Sequence, residues 1–206
     1  ASPLTAGYGD YDGLLTEALA KEQVVIVDVE TTGVDIYRDR SIQIAAIRID
    51  SQAHVIERFE AFISPGRPVG DSYFVHGFSD DYLQEHGEEA ADALAAFLAF
   101  AQGCVIVGHN VSFDMGILAQ ELARHSLSMP VIPGVYDTLD ISRRFLPDLE
   151  NHKLGTLAEF FDTPTKPSHN AMDDILATGQ LLCRFAKDFI LPAEPARRIL
   201  YGQYIE

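Results

Sequence analysis

Four carboxylates and one histidine, in three separated segments, are the residues of this chain best suited to chemistry. Asp28 and Glu30 stand two residues apart at the end of an apolar run, and Asp114 follows a second apolar run. His169 stands five residues before Asp174, at the head of a helical pattern. Four acids brought together repel one another unless cations lie among them, and hard oxygen ligands suit Mg²⁺ or Mn²⁺. The pattern predicts a site for two divalent cations that can hydrolyse a phosphodiester with an activated water.

Each segment taken alone also has an ordinary structural interpretation. In a chain with 31 acidic residues, the triplet Asp-x-Glu arises about once by chance, so Asp28 and Glu30 could simply end a strand in a solvated turn. Asp114 could be a helix N-cap, a position where Asp is preferred. Asp174 could be ordinary first-turn charge, and His169 an exposed loop residue. The order of the three segments and the apolar runs before them favour a common site.

The elements that must position these residues follow from hydrophobic periodicity. Continuous β-branched or apolar runs predict strands, and Ala- and Leu-rich or amphipathic stretches predict helices. The predicted strands are 24–29, 42–49, 55–63 and 104–107, and 136–145 begins extended and becomes helical. The predicted helices are 12–21, 88–101, 113–125, 153–161 and 172–189. Three strands followed by alternating helices and strands predict an α/β sandwich that starts with an antiparallel meander.

This skeleton places the acids near one another. Residues i and i+2 of a strand face the same side, so Asp28 and Glu30 project together. Asp114 lies in the first turn after the fourth strand, and Asp174 lies near the start of the last helix, at the edge of its core-facing side. His169 precedes that helix in a proline-containing loop, and we expect the loop to move so that the histidine engages only with substrate.

The length and composition predict one main domain. The 206 residues are 47% hydrophobic and contain no internal repeat. We expect a peripheral segment over 1–22, the domain over 23–189 and a C-terminal tail over 190–206. The sequence shows neither a signal peptide nor a run of 18 apolar residues, which predicts a cytoplasmic protein without a membrane span. Cys104 and Cys183 lie in apolar stretches and are predicted to be buried thiols.

The net charge of −16 is unusual for a protein that binds nucleic acid, because Lys and Arg drive phosphate binding. Two divalent ions would return about four charges at the site itself. A terminal, short or partner-delivered substrate fits this balance better than a long duplex. Alternatively, the charge reflects an acidic proteome background.

Three motifs resemble those of the DEDDh (DnaQ-like) 3′–5′ exonucleases. They are DVETTG at 28–33, HNVSFD at 109–114 and HNAMDD at 169–174, with further similarity in VHGFS at 75–79 and NHKL at 151–154. The resemblance covers roughly residues 22–187 and is greatest to proofreading domains and subunits of bacterial replicative DNA polymerases. It implies a ribonuclease H-like fold with a mixed five-stranded sheet.

The resemblance also implies a role for each catalytic residue. Asp28 would bridge two Mg²⁺ or Mn²⁺ ions, Glu30 and Asp174 would complete the shell of one ion, and Asp114 would support the other. His169 would act as general base in the release of nucleoside 5′-monophosphates. A sister subgroup has a tyrosine one residue nearer the last acid; that position is Asn170 here, so the histidine version applies.

A second set of residues is predicted to contact the 3′-terminal nucleotides of the substrate. The set is Thr31, Thr32, Gly33, His76, Asn110 and Phe113. A structural role in a turn is an equally good interpretation of His76, and a core position is the alternative for Phe113. His109 is expected to be a packed, hydrogen-bonded residue rather than a ligand.

Single-stranded or frayed 3′ ends of DNA are the expected substrate, and a polymerase, a helicase or a larger polypeptide is the expected partner. Thr31-Thr32-Gly33 resembles the DNA-proofreading branch. Three alternatives remain: an exonuclease that trims RNA or oligoribonucleotides, a catalytically silent binding module of the same fold, and an endonuclease of the ribonuclease H type. A 3′-phosphate block would stop an exonuclease and leave an endonuclease unaffected.

Overall fold

The computed structural model describes residues 9–192, and the expected ends at 1–8 and 193–206 lie outside the described residues. Five strands form one sheet: β1 (Val24–Thr31), β2 (Ser41–Ile49), β3 (Val55–Phe62), β4 (Val105–Gly108) and β5 (Val135–Asp137). Their order across the sheet is β3-β2-β1-β4-β5. The expected central position of β1 is confirmed, and its Val24, Val25 and Ile26 are fully buried because helices cover both faces.

The sheet is mixed, as predicted. β1 pairs antiparallel with β2, and β2 antiparallel with β3, which is the expected three-strand meander. β4 runs parallel to β1, and β5 parallel to β4. The β1–β4 ladder ends at Ile26 and Val107, whereas β1 and β2 stay paired as far as Thr31. The last residues of β1 therefore extend beyond β4, and this leaves one side of the strand open.

Helices cover the sheet in two layers. The helices are α1 (Gly9–Ala20), α2 (Tyr73–His76), α3 (Asp80–His86), α4 (Ala90–Phe100), α5 (Val111–Arg124), α6 (Thr138–Phe145), α7 (Leu154–Phe160) and α8 (Ala171–Phe185). Val24 and Ile26 of β1 share a core with α1, α6, α7 and α8. Val25, Val27 and Val29 face the other way, into a core with α4 and α5. Asp28 and Glu30 continue the Val24–Ile26 alternation and so belong to the α8 side.

The structure adds detail that periodicity did not predict. A short 3₁₀ turn (Gly70–Ser72), α2 and α3 occupy the link between β3 and α4, where we predicted no helix. The last helix was predicted as one element over 172–189, but its final turn widens into a π-helical segment at Ala186–Ile190. No helix among residues 9–192 is long and apolar enough to cross a membrane.

Helix α1 packs into the hydrophobic core, whereas we expected residues 1–22 to be a peripheral segment. Leu15 is fully buried in the core under α6 and α8, and Asp12 is 1% exposed. Both oxygens of Asp12 accept hydrogen bonds from Arg144 on α6, at 2.9 and 2.6 Å. Residues 9–20 are thus integrated into the packing of the domain, and the boundary at residue 22 stays a prediction.

Candidate active site

Asp28 and Glu30 lie on the part of β1 that extends beyond β4. They pair across the ladder with Ala45 and Gln43 of β2, and the register shifts immediately after Glu30. Both side chains are partly buried on the face that α8 covers. The strand therefore presents two carboxylates side by side at an open edge, as the i, i+2 spacing predicted.

Asp114 approaches the same strand from α5. Its Oδ1 accepts a hydrogen bond from the backbone N–H of Val29 at 2.9 Å, across 85 residues of sequence. Asp114 is the fourth residue of α5, whereas Asn110 stands at the cap position. The N-cap interpretation of Asp114 is therefore wrong: this carboxylate is 5% exposed and bonds to β1 between the two other acids.

Asp174 and the loop that carries His169 are tied together at the start of α8. Asp174 Oδ1 accepts from the backbone N–H of Ser168 at 3.1 Å, and the Ser168 hydroxyl donates to Asp173 at 2.7 Å. Asn170 caps the helix by accepting from Met172 N at 3.0 Å. His169 sits between these anchors with φ +64°, a left-handed conformation, and its side chain is exposed. The hydrogen bonds of Ser168 and Asn170, the two neighbours of His169, hold its backbone beside Asp174.

The four acids behave as one electrostatic cluster. Burial, followed by the charge of Asp174, raises the pKa of Asp28 to about 6. Burial, followed by Asp28 and Asp174, raises the pKa of Glu30 to about 7. Burial, followed by Asp28, raises the pKa of Asp114 well above its usual range, and burial also raises that of Asp174. Asp28 opposes ionisation of Glu30 and Asp114, and Asp174 opposes ionisation of Asp28 and Glu30, so a cation among them would be strongly stabilised.

The four carboxylates fit divalent cations as ligands, although they do not lie close enough together to enclose an ion. Among residues 9–192, no group of three or more His, Cys, Asp or Glu side chains is already close enough to hold a metal ion. The donors are carboxylate oxygens only, which are the ligands that Mg²⁺ and Mn²⁺ prefer. Their raised pKa values are the property that a bound cation would reverse.

A cleft of about 1020 Å³ opens beside these acids. His169 and Asp174 line one part, and α6 with the segment 151–156 lines another. A narrower pocket of about 110 Å³, lined by Asp28, Asp174, His109 and Leu154, continues from it beneath the cleft. His109, Leu154 and Asp174 line both spaces, so the cleft leads to Asp28 and Asp174, whereas Glu30 and Asp114 line neither space.

His109 is a structural part of the cleft wall. Its Nδ1 lies 2.8 Å from Thr138 Oγ1, and its Nε2 lies 2.8 Å from the backbone oxygen of His152. Burial lowers the pKa of the ring. With both nitrogens engaged inside the protein, His109 is the packed, hydrogen-bonded residue that we expected. Its neighbour Asn110 lines the cleft with an exposed side chain.

The predicted substrate-contacting residues of the first motif form a rigid turn. Thr32 Oγ1 donates to Asp39 at 2.9 Å and accepts from Arg40 N at 3.0 Å. Thr31 donates to the carbonyl of Gly33. A Cβ at Gly33 would lie 2.4 Å from Asp39 Oδ2, so a larger residue there would displace the Asp39 side chain that Thr32 bonds. The turn starts directly after Glu30, which puts its backbone next to the acids.

The other two predicted contacts, His76 and Phe113, are placed differently. His76 bonds within its own turn: Nε2 lies 2.9 Å from Ser72 Oγ, and Nδ1 accepts from Phe78 N at 3.0 Å. Phe113 is partly buried and packs against the α4–α5 core. Neither residue lines the cleft as the structure describes it. Their contact with substrate stays a prediction.

Asp137 is a residue whose importance we did not predict from the sequence. It is 8% exposed and accepts from Asn110 N at 2.8 Å, Val111 N at 3.1 Å and Leu139 N at 2.9 Å. It therefore caps α5 and α6 together and orients the second motif. The available signal was an Asp between a short strand and a helix, which is the usual sequence of an N-cap.

Comparison with known proteins identifies relatives that share most of this chain. DNA polymerase III of the PolC type from Lacticaseibacillus paracasei is 38% identical over 172 residues, covering 82% of this chain and 12% of that protein. The PolC-type polymerase of Bacillus subtilis is 35% identical over 175 residues, with the same coverage. The chain thus spans about an eighth of the length of these relatives.

Solved structures share the fold. Exonuclease I of E. coli in complex with a dA16 oligonucleotide superposes with a TM-score of 0.71 at 23% identity, over 82% of this chain and 42% of that one. Exonuclease X in complex with 5′ overhanging duplex DNA superposes with a TM-score of 0.59 at 19% identity, over 80% and 91%. The ribonuclease H-like fold that the resemblance implied is confirmed.

A family model described as exonuclease matches residues 25–182, a range that contains all three motifs and, apart from Val24, the five strands. The match confirms the resemblance drawn from DVETTG, HNVSFD and HNAMDD. The chain belongs to this exonuclease family.

Proposed function

We propose that this domain is a metal-dependent 3′–5′ exonuclease that releases nucleoside 5′-monophosphates from 3′ ends of DNA. One observation carries the proposal: four carboxylates with raised pKa values lie around the open end of β1, beside a cleft that His169 and Asp174 line. The relatives at 35–38% identity are replicative DNA polymerases, which supports DNA as the substrate and proofreading as the task.

Asp28, Glu30, Asp114 and Asp174 would hold two divalent cations, Mg²⁺ or Mn²⁺. When bound, the ions neutralise the carboxylates and stabilise the charge that develops on the phosphate. Asp28 is central because its charge raises the pKa values of both Glu30 and Asp114. Asp114 Oδ1 already accepts a hydrogen bond from Val29, which supports a lesser role as ligand.

His169 would accept the proton of the attacking water. Its exposed ring lines the cleft together with Asp174, and both flanking residues are hydrogen-bonded to α8. Because the backbone of His169 is held while its ring is exposed to the cleft, the ring can reach a water at the phosphate. A positioned base contributes roughly 10²–10⁴-fold to a hydrolytic rate.

The turn at Thr31–Gly33 and the cleft residue Asn110 would contact the terminal nucleotide. A larger polypeptide that carries a polymerase is the proposed context, since the chain spans only 12% of its PolC-type relatives. A helicase partner, action on RNA and a cytoplasmic location stay predictions from the sequence.

The test uses 5′-labelled oligonucleotides: single-stranded, 3′-recessed and mismatched DNA, and matched RNA, each with Mg²⁺ or Mn²⁺. We expect a metal-dependent ladder that shortens from the 3′ end, stopped by a 3′-phosphate. Asp28→Ala should abolish the ladder, whereas Asp81→Ala, which removes an exposed acid on α3, should retain it. Cleavage that ignores the 3′-phosphate would indicate an endonuclease, and a wild-type protein that binds but never cleaves would indicate a silent module.

A further inference from the structure

The cleft beside the acids carries two cationic side chains that the proposed chemistry does not use. Arg143 projects from α6 and Lys153 stands at the N-cap of α7; both are exposed. The chain has only 15 Lys and Arg against 31 acids. In the cleft this balance is reversed, because Asp174 is the single carboxylate among its lining residues.

Neither cation is neutralised by a close partner. Arg143 Nη1 lies 3.8 Å from Asp140, in a pair whose side chains are 61% and 73% exposed. Such a pair contributes little and exchanges readily with other anions. The ammonium of Lys153 has no hydrogen bond or ion pair with any of residues 9–192. Both charges are available to a ligand.

One hydrogen-bond network fixes the backbone segments that carry these two cations. The ring of His152 lies 2.9 Å from the hydroxyl of Ser142, the residue before Arg143. The backbone oxygen of His152 lies 2.8 Å from His109 Nε2. Asn151 Oδ1 accepts from Lys153 N at 3.1 Å and from Thr156 at 2.7 Å. The wall that carries both charges is thus bonded to the HNVSFD motif, so its position relative to the acids is set before substrate arrives.

The cleft continues from the acids to this wall. Leu154, adjacent to Lys153, lines both the narrow pocket over Asp28 and the wide cleft. A strand whose terminal phosphodiester lies at the acids would pass Leu154 and reach Lys153 and Arg143. A volume of about 1020 Å³ is at the upper end for clefts that hold one drug-sized molecule, which leaves room for more than a terminal nucleotide.

We propose that Arg143 and Lys153 bind the phosphates that precede the terminal nucleotide, and so favour a substrate of more than one nucleotide. This inference rests on the proposed exonuclease function. The two cations give a locally attractive path in a chain whose overall charge of −16 repels polynucleotides. They position substrate and take no part in bond cleavage.

The test compares two substrates with Arg143→Gln, Lys153→Gln and the double variant. On single-stranded DNA we expect KM to rise several-fold for each single change. The slope of log kcat/KM against log salt should lessen by about 0.7 for each phosphate that the variant no longer binds. The nitrophenyl ester of thymidine 5′-monophosphate has no preceding phosphate, and its hydrolysis should be unchanged. Lys153→Arg should restore KM, because the charge is kept.

Arg58→Gln is the matched control, since it removes an exposed arginine from β3, outside the cleft. If wild-type protein cleaves neither substrate, the proposed function fails. If it cleaves both while the variants keep the wild-type KM and salt slope, only this inference fails. A double variant that folds but also loses the ester reaction would overturn it as well, because the residues would then act on the reacting group.

Discussion

The backbone N–H of Val29 donates to Asp114 Oδ1 at 2.9 Å, just beyond the point where β1 loses its partner β4. The carboxylate thus replaces a strand as the acceptor for β1 and fixes α5 against the acids. A residue that we propose as a metal ligand is here also part of the structural hydrogen bonding. Substitutions at Asp114 can separate these two tasks.

We expect Asp114→Asn to lose most exonuclease activity and little stability, because an amide oxygen can still accept from Val29. Asp114→Ala should lose activity and also leave a buried N–H unpaired, which costs about 1–3 kcal/mol. Urea unfolding of both variants, run beside the activity assay, measures the difference. Equal stability of the Asn and Ala variants would show that the Val29 bond contributes nothing.

The acid cluster should make the metal-free protein less stable as the pH rises. The pKa of Glu30 is raised to about 7 and that of Asp28 to about 6, whereas unfolded carboxyls titrate at about pH 4. A raised pKa means that the folded state holds its proton more tightly, so stability is lost between about pH 4 and pH 7.

The unfolding temperatures of wild type and Glu30→Gln are measured in chelator at each pH. Their difference isolates the contribution of Glu30 ionisation from that of other titrating groups. Wild type should lose stability relative to the variant as the pH rises to about 7. Adding Mn²⁺ at neutral pH should raise the unfolding temperature of wild type more than that of the variant. A constant difference between the two proteins across this pH range would contradict the raised pKa of Glu30.

His169 should be needed for rate and not for metal binding. The informative change is His169→Asn, since asparagine tolerates the φ of +64° that this residue adopts and removes the imidazole. We expect kcat to fall roughly 10²–10⁴-fold, with Mn²⁺ still stabilising the protein in thermal unfolding. An unchanged kcat would reject His169 as general base.

Asp137→Ala should destabilise the domain and weaken catalysis together. Three backbone N–H groups, from Asn110, Val111 and Leu139, would lose their acceptor. An unpaired buried group costs about 1–3 kcal/mol, so we expect a loss of at least that size in urea unfolding. Asp140→Ala, an exposed acid on α6, is the control and should be close to neutral. A neutral Asp137→Ala would show that water replaces its hydrogen bonds.

Several features of the site were predictable because they depend on local periodicity. The β-branched run at 24–29 forms the central strand, and its alternation places Asp28 and Glu30 on one face. The three motifs were enough to indicate the family and the fold. The helix at 113–125 was predicted to start two residues late, since its true start depends on Asp137, more than twenty residues away.

The amino-acid sequence by itself determined which residues carry charge, which strand lies at the centre and which family the chain belongs to. Only the tertiary structure decided that Asp114 bonds to β1, that Asp137 caps two helices, and that His109 fixes the wall bearing Arg143 and Lys153. The physical reason is that strand and helix patterns repeat over a few residues. Hydrogen bonds across 85, 27 or 43 residues exist only once the layers have packed.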